Sequence, residues 1–226
     1  MKPRARGGAN VGSAATAGIH EAGARTARGK QLLRKPGTAG EVRLIGGQWK
    51  RSKLPVADRP GLRPTPDRIR ETLFNWLGQD LSGWSVLDAF AGSGALGFEA
   101  ASRGAALVLM IETDPALARS LGSSAQRLKA EQVQVVQTDA LQWMGRAAAT
   151  LPLVAFDLIF LDPPFEQDLF KAAWQRALPL LRPGGWLYLE APAQSGLQAQ
   201  GLQLHRHLKA GAVHAHLWKF SPQAST

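Results

Sequence analysis

The feature that most constrains this chain is a regular alternation of two kinds of segment. Short apolar or β-rich runs at 85–89, 107–112, 133–137, 158–162 and 186–190 are separated by helical stretches at 94–103, 115–128 (with Asp114 as cap), 140–149 and 169–181. Parallel strands need a long crossover between them, and a helix is the usual one. Strand and helix in strict alternation therefore predict a parallel sheet covered by helices on both faces. The last segments differ: 202–208 and 213–220 alternate apolar and polar around Lys209-Ala210-Gly211-Ala212, which predicts an antiparallel hairpin closing the sheet. The expected fold class is thus α/β, a mostly parallel seven-stranded sheet with an antiparallel C-terminal hairpin. In such sheets ligands bind outside the carboxyl ends of the strands, where the strand order reverses.

Ahead of this core the chain is basic. Of 27 basic and 17 acidic side chains, residues 1–70 hold 16 and 4, a net +12, and the remainder holds 11 and 13, a net −2. Residues 1–40 contain few large apolar side chains and read as a disordered basic tail, either a solubilising leader or an organelle transit peptide. Residues 41–78 read as a basic hairpin and helix. Two extended runs, 42–45 and 54–56, flank a Gly46-Gly47 turn. Thr65-Pro66-Asp67 then supplies a capping oxygen, a proline where no donor is needed and an acid at the positive dipole end. That helix carries Ile69, Leu73, Trp76 and Leu77 on one stripe and stops at Gly78. The basic side chains here are interleaved with apolar ones, so the expected product is a folded basic surface suited to a polyanion. No run approaches the ~18 apolar residues needed to cross a bilayer.

The first strand of the core runs into Asp88-Ala89-Phe90-Ala91-Gly92-Ser93-Gly94-Ala95-Leu96-Gly97, and the second ends in Glu112. Gly92, Gly94 and Gly97 fit G-x-G-x-x-G, with an acid twenty residues after Gly92 placed for ribose hydroxyls, a pattern that by itself fits any adenosine cofactor. Charge separates the candidates. A dinucleotide brings a pyrophosphate, whereas S-adenosylmethionine (SAM) brings an ammonium and a sulfonium. Asp88, at the strand end, favours the cationic ligand. Phe90, and Asp139 with Ala140 after the third strand, complete the candidate cofactor contacts. Asp139 suits an adenine amino group and equally a helix N-cap.

The fourth strand ends in Asp162-Pro163-Pro164-Phe165. An exocyclic NH2 is a poor nucleophile because its lone pair is delocalised. Two acceptors that draw its hydrogens toward tetrahedral geometry release that lone pair toward a methyl donor. Asp162 would supply a carboxylate oxygen and Pro163 a carbonyl. Both prolines, Pro163 and Pro164, stiffen the turn and remove competing amides, and Phe165 would stack on a planar acceptor. The chain has no cysteine. That excludes disulfides, thiolate metal sites and methylation of a pyrimidine carbon through a cysteine adduct, and leaves nitrogen as the expected acceptor. His205, His207, His214 and His216 form two His-x-His pairs on the terminal hairpin. No acid or thiol nearby completes a ligand set, so they read as one exposed sheet face, and no metal is expected.

With these motifs in view the chain resembles the RsmD family, bacterial methyltransferases of small-subunit ribosomal RNA, over residues 42–220. The most specific stretches are Val42-Arg43-Leu44-Ile45-Gly46-Gly47, Arg63-Pro64-Thr65-Pro66-Asp67-Arg68-Ile69-Arg70-Glu71-Thr72-Leu73-Phe74-Asn75, the glycine loop, and Asp162 to Phe165. The resemblance implies a Rossmann-like SAM-dependent methyltransferase domain over 41–226, with 79–226 as its core, and methyl transfer to the exocyclic N2 of a guanine. It implies SAM held at Asp88, Gly92 and Gly94, with Glu112 on the ribose and Asp139 on the adenine, and guanine gripped by Asp162 to Phe165. Arg43, Lys50, Arg51, Lys53, Arg63, Arg68 and Arg70 become the RNA-contact surface. The expected partner is small-subunit rRNA or an assembling 30S particle, met by a cytoplasmic monomer. Two other readings are an amino methyltransferase of adenine N6 in DNA or of a protein glutamine, and a SAM-fold binding protein without activity. Residues 1–40 have no counterpart in the family pattern.

Overall fold

Successive residues of a strand face opposite ways, and the central strands here are apolar on both faces, so their sheet has to be covered twice. A computed structural model of the chain describes residues 40–57, 65–150, 155–164, 169–191, 200–211 and 213–221. All of them fall in one compact unit, 35–226. The tail expected over the first 40 residues lies outside the described residues, apart from Gly40. Strands β1 (Gly40–Arg43) and β2 (Lys53–Val56) pair antiparallel and lead to helix α1 (Asp67–Leu77). There follow β3 (Ser85–Asp88), α2 (Ala95–Ser102), β4 (Leu107–Glu112), α3 (Pro115–Leu128), β5 (Val133–Gln137) and α4 (Ala140–Thr150). The chain continues through β6 (Phe156–Leu161), α5 (Phe170–Ala177), β7 (Leu181–Ala191), β8 (Leu202–Ala210) and β9 (Val213–Phe220).

The second sheet has seven strands in the order β5-β4-β3-β6-β7-β9-β8. The first five are mutually parallel, and β9 runs antiparallel to both β7 and β8. This is the expected α/β class. Val86, Leu158, Phe160 and Tyr188 point to one side, where Phe74 of α1 and Phe98 of α2 cover them. Leu87, Ile159, Leu161 and Leu189 point to the other, under Met144 of α4 and Trp174 of α5. The order reverses between β3 and β6, whose helices α2 and α5 lie on opposite faces, and that opens a crevice at their carboxyl ends. No described helix is long and apolar enough to cross a membrane.

Local expectations fail where a tertiary partner competes. Thr65 does not cap α1: the N-cap is Pro66 without a side-chain bond, and the buried Thr65 hydroxyl bonds Glu190 instead. The link between β1 and β2 is not a tight turn at Gly46-Gly47 but a loop docked on the end of α2. Gln48 N–H donates to the Ser102 carbonyl at 2.7 Å, and Trp49 N–H donates to Ser102 Oγ at 2.9 Å. Gly47 has φ +70° and lies so close that a Cβ there would meet the Ser102 carbonyl oxygen. Helix α5 ends at Ala177, with a 3₁₀ turn over Leu178–Leu180, because Pro179 cannot donate to a continued ladder. Strand β7 begins at Leu181 rather than at Trp186, since Leu181 pairs with Phe156 ahead of a register shift.

Candidate active site

Strand β3 delivers Asp88 to the crevice, and the following turn reverses the chain so that α2 starts at Ala95 over the strand ends. Gly92 and Gly94 take φ of 52° and 76°, which favours glycine. Gly97 is required for a different reason. A Cβ there would stand 2.5 Å from Met110 Cε and 2.9 Å from Asp88 Oδ2. The open space lets Gly97 N–H donate to Asp88 Oδ2 at 2.9 Å. Glu112 fastens the same loop, accepting from Gly92 N–H through Oε2 and from Asp114 N–H through Oε1, both at 2.8 Å. A carboxylate accepts at about four positions, so about two remain for hydroxyls of a ligand. Asp139 is the N-cap of α4, accepting from Gln142 N–H at 2.7 Å. It is exposed, Ala140 beside it is buried, and Phe90 is half-buried against the core on the α4 side.

Register carries the remaining acids to the same edge. Asp88 pairs with Phe160 of β6, and Leu161 pairs with Leu189 of β7, so Asp162 and Glu190 are the next residues of adjacent strands. Asp162 is half-buried, Pro163 buried and Pro164 exposed. Phe165 lies outside the described residues. Burial, reinforced by Glu190 and Asp88, holds the Asp162 carboxyl well above the usual carboxylate range. Asp88 is pushed up to about 7, chiefly by burial and further by Glu112 and Glu190, against the lowering effect of the Gly97 amide. The crevice thus holds neighbouring carboxyls whose ionised forms repel one another, a setting that a cation or a hydrogen-bond donor would relieve.

Glu190 falls outside the motifs that the sequence predicts for the site. It is buried, accepts from the Tyr188 hydroxyl at 2.9 Å and from Thr65, and is raised by burial against those two bonds. Its signal was present: alternation along Trp186-Leu187-Tyr188-Leu189-Glu190 puts an acid at a strand end beside the strand that carries Asp162.

The basic residues divide. Arg43, Lys50, Arg51 and Arg68 are exposed, and Lys53 is exposed but paired with Glu41 at 2.6 Å. Arg63 lies outside the described residues. Arg70 is a correction to the expected RNA surface: it is fully buried. It donates to Asp67 at 2.6 Å, to the Arg43 carbonyl at 2.8 Å and to the Thr65 carbonyl at 3.2 Å, and it faces Glu99 at 3.5 Å. It holds β1 to α1 and is closed to solvent. The expectation of an exposed histidine face also fails at one position, because His216 is buried.

Residues 42–219 match the family model described as conserved hypothetical protein 95. The chain is 39% identical over 204 residues to ribosomal RNA small subunit methyltransferase D of Escherichia coli K12, covering 86% of this chain and 98% of that protein. The Haemophilus influenzae protein of the same name is 43% identical over 157 residues, 69% of this chain and 78% of its own. The solved structure of yhhF from Escherichia coli, 39% identical, superposes with a TM-score of 0.71 over 81% of this chain and all of that one. The doubly wound sheet described above is thus the Rossmann-like fold of methyltransferases.

Proposed function

The chain belongs to the RsmD family, the family described as conserved hypothetical protein 95, and from that premise we propose that it transfers a methyl group from SAM to the exocyclic N2 of a guanine in small-subunit ribosomal RNA during ribosome maturation. The observation that carries this reading is the position of Asp162 and Pro163. They stand at the carboxyl end of β6, across the strand-order reversal from Asp88, with proline occupying the two positions whose amides would otherwise compete for an acceptor.

SAM supplies, when bound, an electron-poor methyl on a sulfonium. Asp88 and the loop of Phe90, Gly92 and Gly94 would hold its methionine end, with the Asp88 carboxylate favouring a cation. Glu112 would take the ribose hydroxyls on its remaining acceptor positions. Asp139 and Ala140 would flank the adenine. Asp162, whose charged form the sulfonium of a bound donor would favour, and the Pro163 carbonyl would each accept one hydrogen of the guanine NH2, turning its lone pair out of conjugation and toward the methyl. The electron pair of the broken methyl–sulfur bond would leave on S-adenosylhomocysteine, and the surplus N–H proton of the methylated nitrogen would pass to the Asp162 carboxylate. Pro164 stiffens this turn, and Phe165 would stack on the flipped base. Moving a base out of its stack costs a few kcal/mol, which a stacking pocket recovers in part. Most of the rate gain comes from orientation and from a lone pair freed only near the transition state.

Exposed Arg43, Lys50, Arg51 and Arg68, with Lys53 once its pairing to Glu41 is exchanged, supply phosphate contacts on the basic segment 41–78. Binding of this kind reads RNA shape and an accessible loop, so structured rRNA or an assembling 30S particle is the substrate rather than free guanosine. Tritium transfer from labelled SAM into purified small-subunit rRNA, run beside DNA and total protein, tests the assignment. Label in rRNA that is recovered as N2-methylguanosine after digestion supports it. Label confined to DNA or protein overturns it in favour of an adenine or glutamine methyltransferase.

A further inference from the structure

The terminal hairpin assembles something that its sequence does not announce. Across β8 and β9, His207 is the direct partner of His216, and His214 lies two residues from His216 on the same face of β9. The three rings gather at centroid separations of 4.6 Å for His207 with His216, 5.1 Å for His207 with His214, and 6.2 Å for His214 with His216. One nitrogen from each lies within 4.8 Å of the others. His207 Nε2 and His214 Nδ1 are 3.0 Å apart. Two imidazole nitrogens bound tetrahedrally to one Zn²⁺ stand about 3.3 Å apart, so this pair is already close to the spacing that a shared ion requires.

A second observation is independent of the clustering. His216 is 1% exposed, and neither of its ring nitrogens has a hydrogen-bond partner of ordinary geometry among the described residues. Backbone acceptors of Leu189 and His214 face the ring as hydrogen-bond partners of poor alignment only, and the Trp218 indole stacks on it at 5.1 Å. Buried polar atoms are almost always partnered. The hydrogen bond between His207 and His214 satisfies one nitrogen of each and leaves the buried third ring with only those poorly aligned backbone acceptors. An ion accepting one lone pair from each ring would engage all three and leave the second nitrogen of His216 as an N–H donor to the backbone acceptors beside it.

We propose that His207, His214 and His216 form a binding site for one late first-row divalent ion, assigned as Zn²⁺, with three imidazole ligands and a fourth position open to water. The donor set selects the metal class. Three neutral nitrogens suit Zn²⁺, Cu²⁺ and Ni²⁺ and do not suit Mg²⁺ or Ca²⁺, which need oxygen. Lys209, directly opposite His214 on β8, is the nearby cation and is exposed, so it can turn to solvent. The rings lie nearly parallel, and closing on an ion requires them to tilt. His207, exposed on the edge strand β8, has room to do so. The site would clip that edge strand to β9. It also sits at the sheet edge that carries Asp162, since Leu161, Leu189 and His216 are successive partners across β6, β7 and β9.

The test uses the full chain, stripped with a chelator and dialysed, titrated with Zn²⁺ by calorimetry and with Co²⁺ by visible absorption, in the presence of excess Mg²⁺. His207→Ala and His214→Ala are the informative variants, since neither ring is fully buried and the fold is checked by circular dichroism. His205→Ala is the control, because its ring lies against Trp186 outside the triad. One equivalent of Zn²⁺ is expected for the parent and for His205→Ala, with tetrahedral Co²⁺ bands and a rise in Tm on addition of Zn²⁺. Binding at least tenfold weaker is expected for His207→Ala and for His214→Ala, without the Tm rise. The proposal is overturned if the parent binds Zn²⁺ no more tightly than the His207→Ala/His214→Ala double variant, or if removal of His205 weakens binding as much.

Discussion

Asp88 is the residue at which stability and proposed function pull apart. Its folded pKa of about 7 lies above the ordinary 3.8, so the ligand-free fold keeps the full contribution of this group below about pH 4 and loses it as the pH rises through 7. A shift of that size corresponds to roughly 4 kcal/mol. Asp88→Asn keeps an oxygen for the Gly97 amide and removes the titration. Urea unfolding at a series of pH values should therefore find the variant more stable than the parent at pH 8, with the gap closing toward pH 4, while calorimetry finds its affinity for SAM at least tenfold weaker. A gap that does not change with pH would contradict the burial argument. Arg70 makes the opposite point about what a sequence shows. On a helix near other arginines it reads as surface charge, and only the fold brings it to Glu99 and to the Arg43 carbonyl. Arg70→Ala is expected to destabilise by about 1–3 kcal/mol, the cost of leaving the carbonyls of Thr65 and Arg43 without their donor, while Glu99 keeps Arg103 and two backbone amides. Arg68→Ala should stay within about 0.5 kcal/mol and weaken RNA binding instead. Chemical denaturation and filter binding of the two variants separate the roles.

At the scale of elements, the parts that could be read from sequence were those whose cause is local. The alternation of strand and helix, the glycine loop with Asp88, the Asp114 cap of α3 and the Asp-Pro-Pro turn each follow from patterns of neighbouring residues, and Glu112 from its place at the end of the very next strand. What could not be read depended on pairing across the chain. Thr65 carries every mark of a helix cap, yet Glu190, on a strand more than a hundred residues later, takes its hydroxyl. The histidine cluster exists only because the register between β8 and β9, shifted between Leu204 and Arg206, sets His207 against His216. The strongest such link is Glu99 of α2. It is fully buried, accepts from the amides of Ile45 and Gly46 at 2.8 Å each, and pairs with Arg103 at 2.8 Å and Arg70 at 3.5 Å. It fastens the basic segment to the core. Glu99→Ala should cost about 3–5 kcal/mol. Hydrogen exchange should show early loss of protection at Ile45 and Gly46, ahead of the strands β3 and β4. Uniform loss across the sheet would mean that the segment is held by something else.

For the whole molecule, charge and chemistry sit in different places. The net charge is +12 over residues 1–70 and −2 beyond, so in the proposed function the basic end would attract a polyanion while the acidic strand ends would form the reaction site. Each phosphate contact contributes about −0.7 to −0.9 to the slope of log affinity against log salt. Replacing Lys50, Arg51 and Arg68 together by Ala should make the slope for small-subunit rRNA shallower by about 2 to 3, without changing affinity for SAM. An unchanged slope would move the RNA surface elsewhere. The proposed reaction rests on Asp162, and one comparison reaches it directly: single-turnover methyl transfer to small-subunit rRNA by Asp162→Ala, measured beside the affinity of the same variant for SAM. The account predicts donor affinity within a few fold of the parent and no detectable transfer. Near-parental transfer, or a loss of donor binding large enough to explain the loss of transfer, would contradict it.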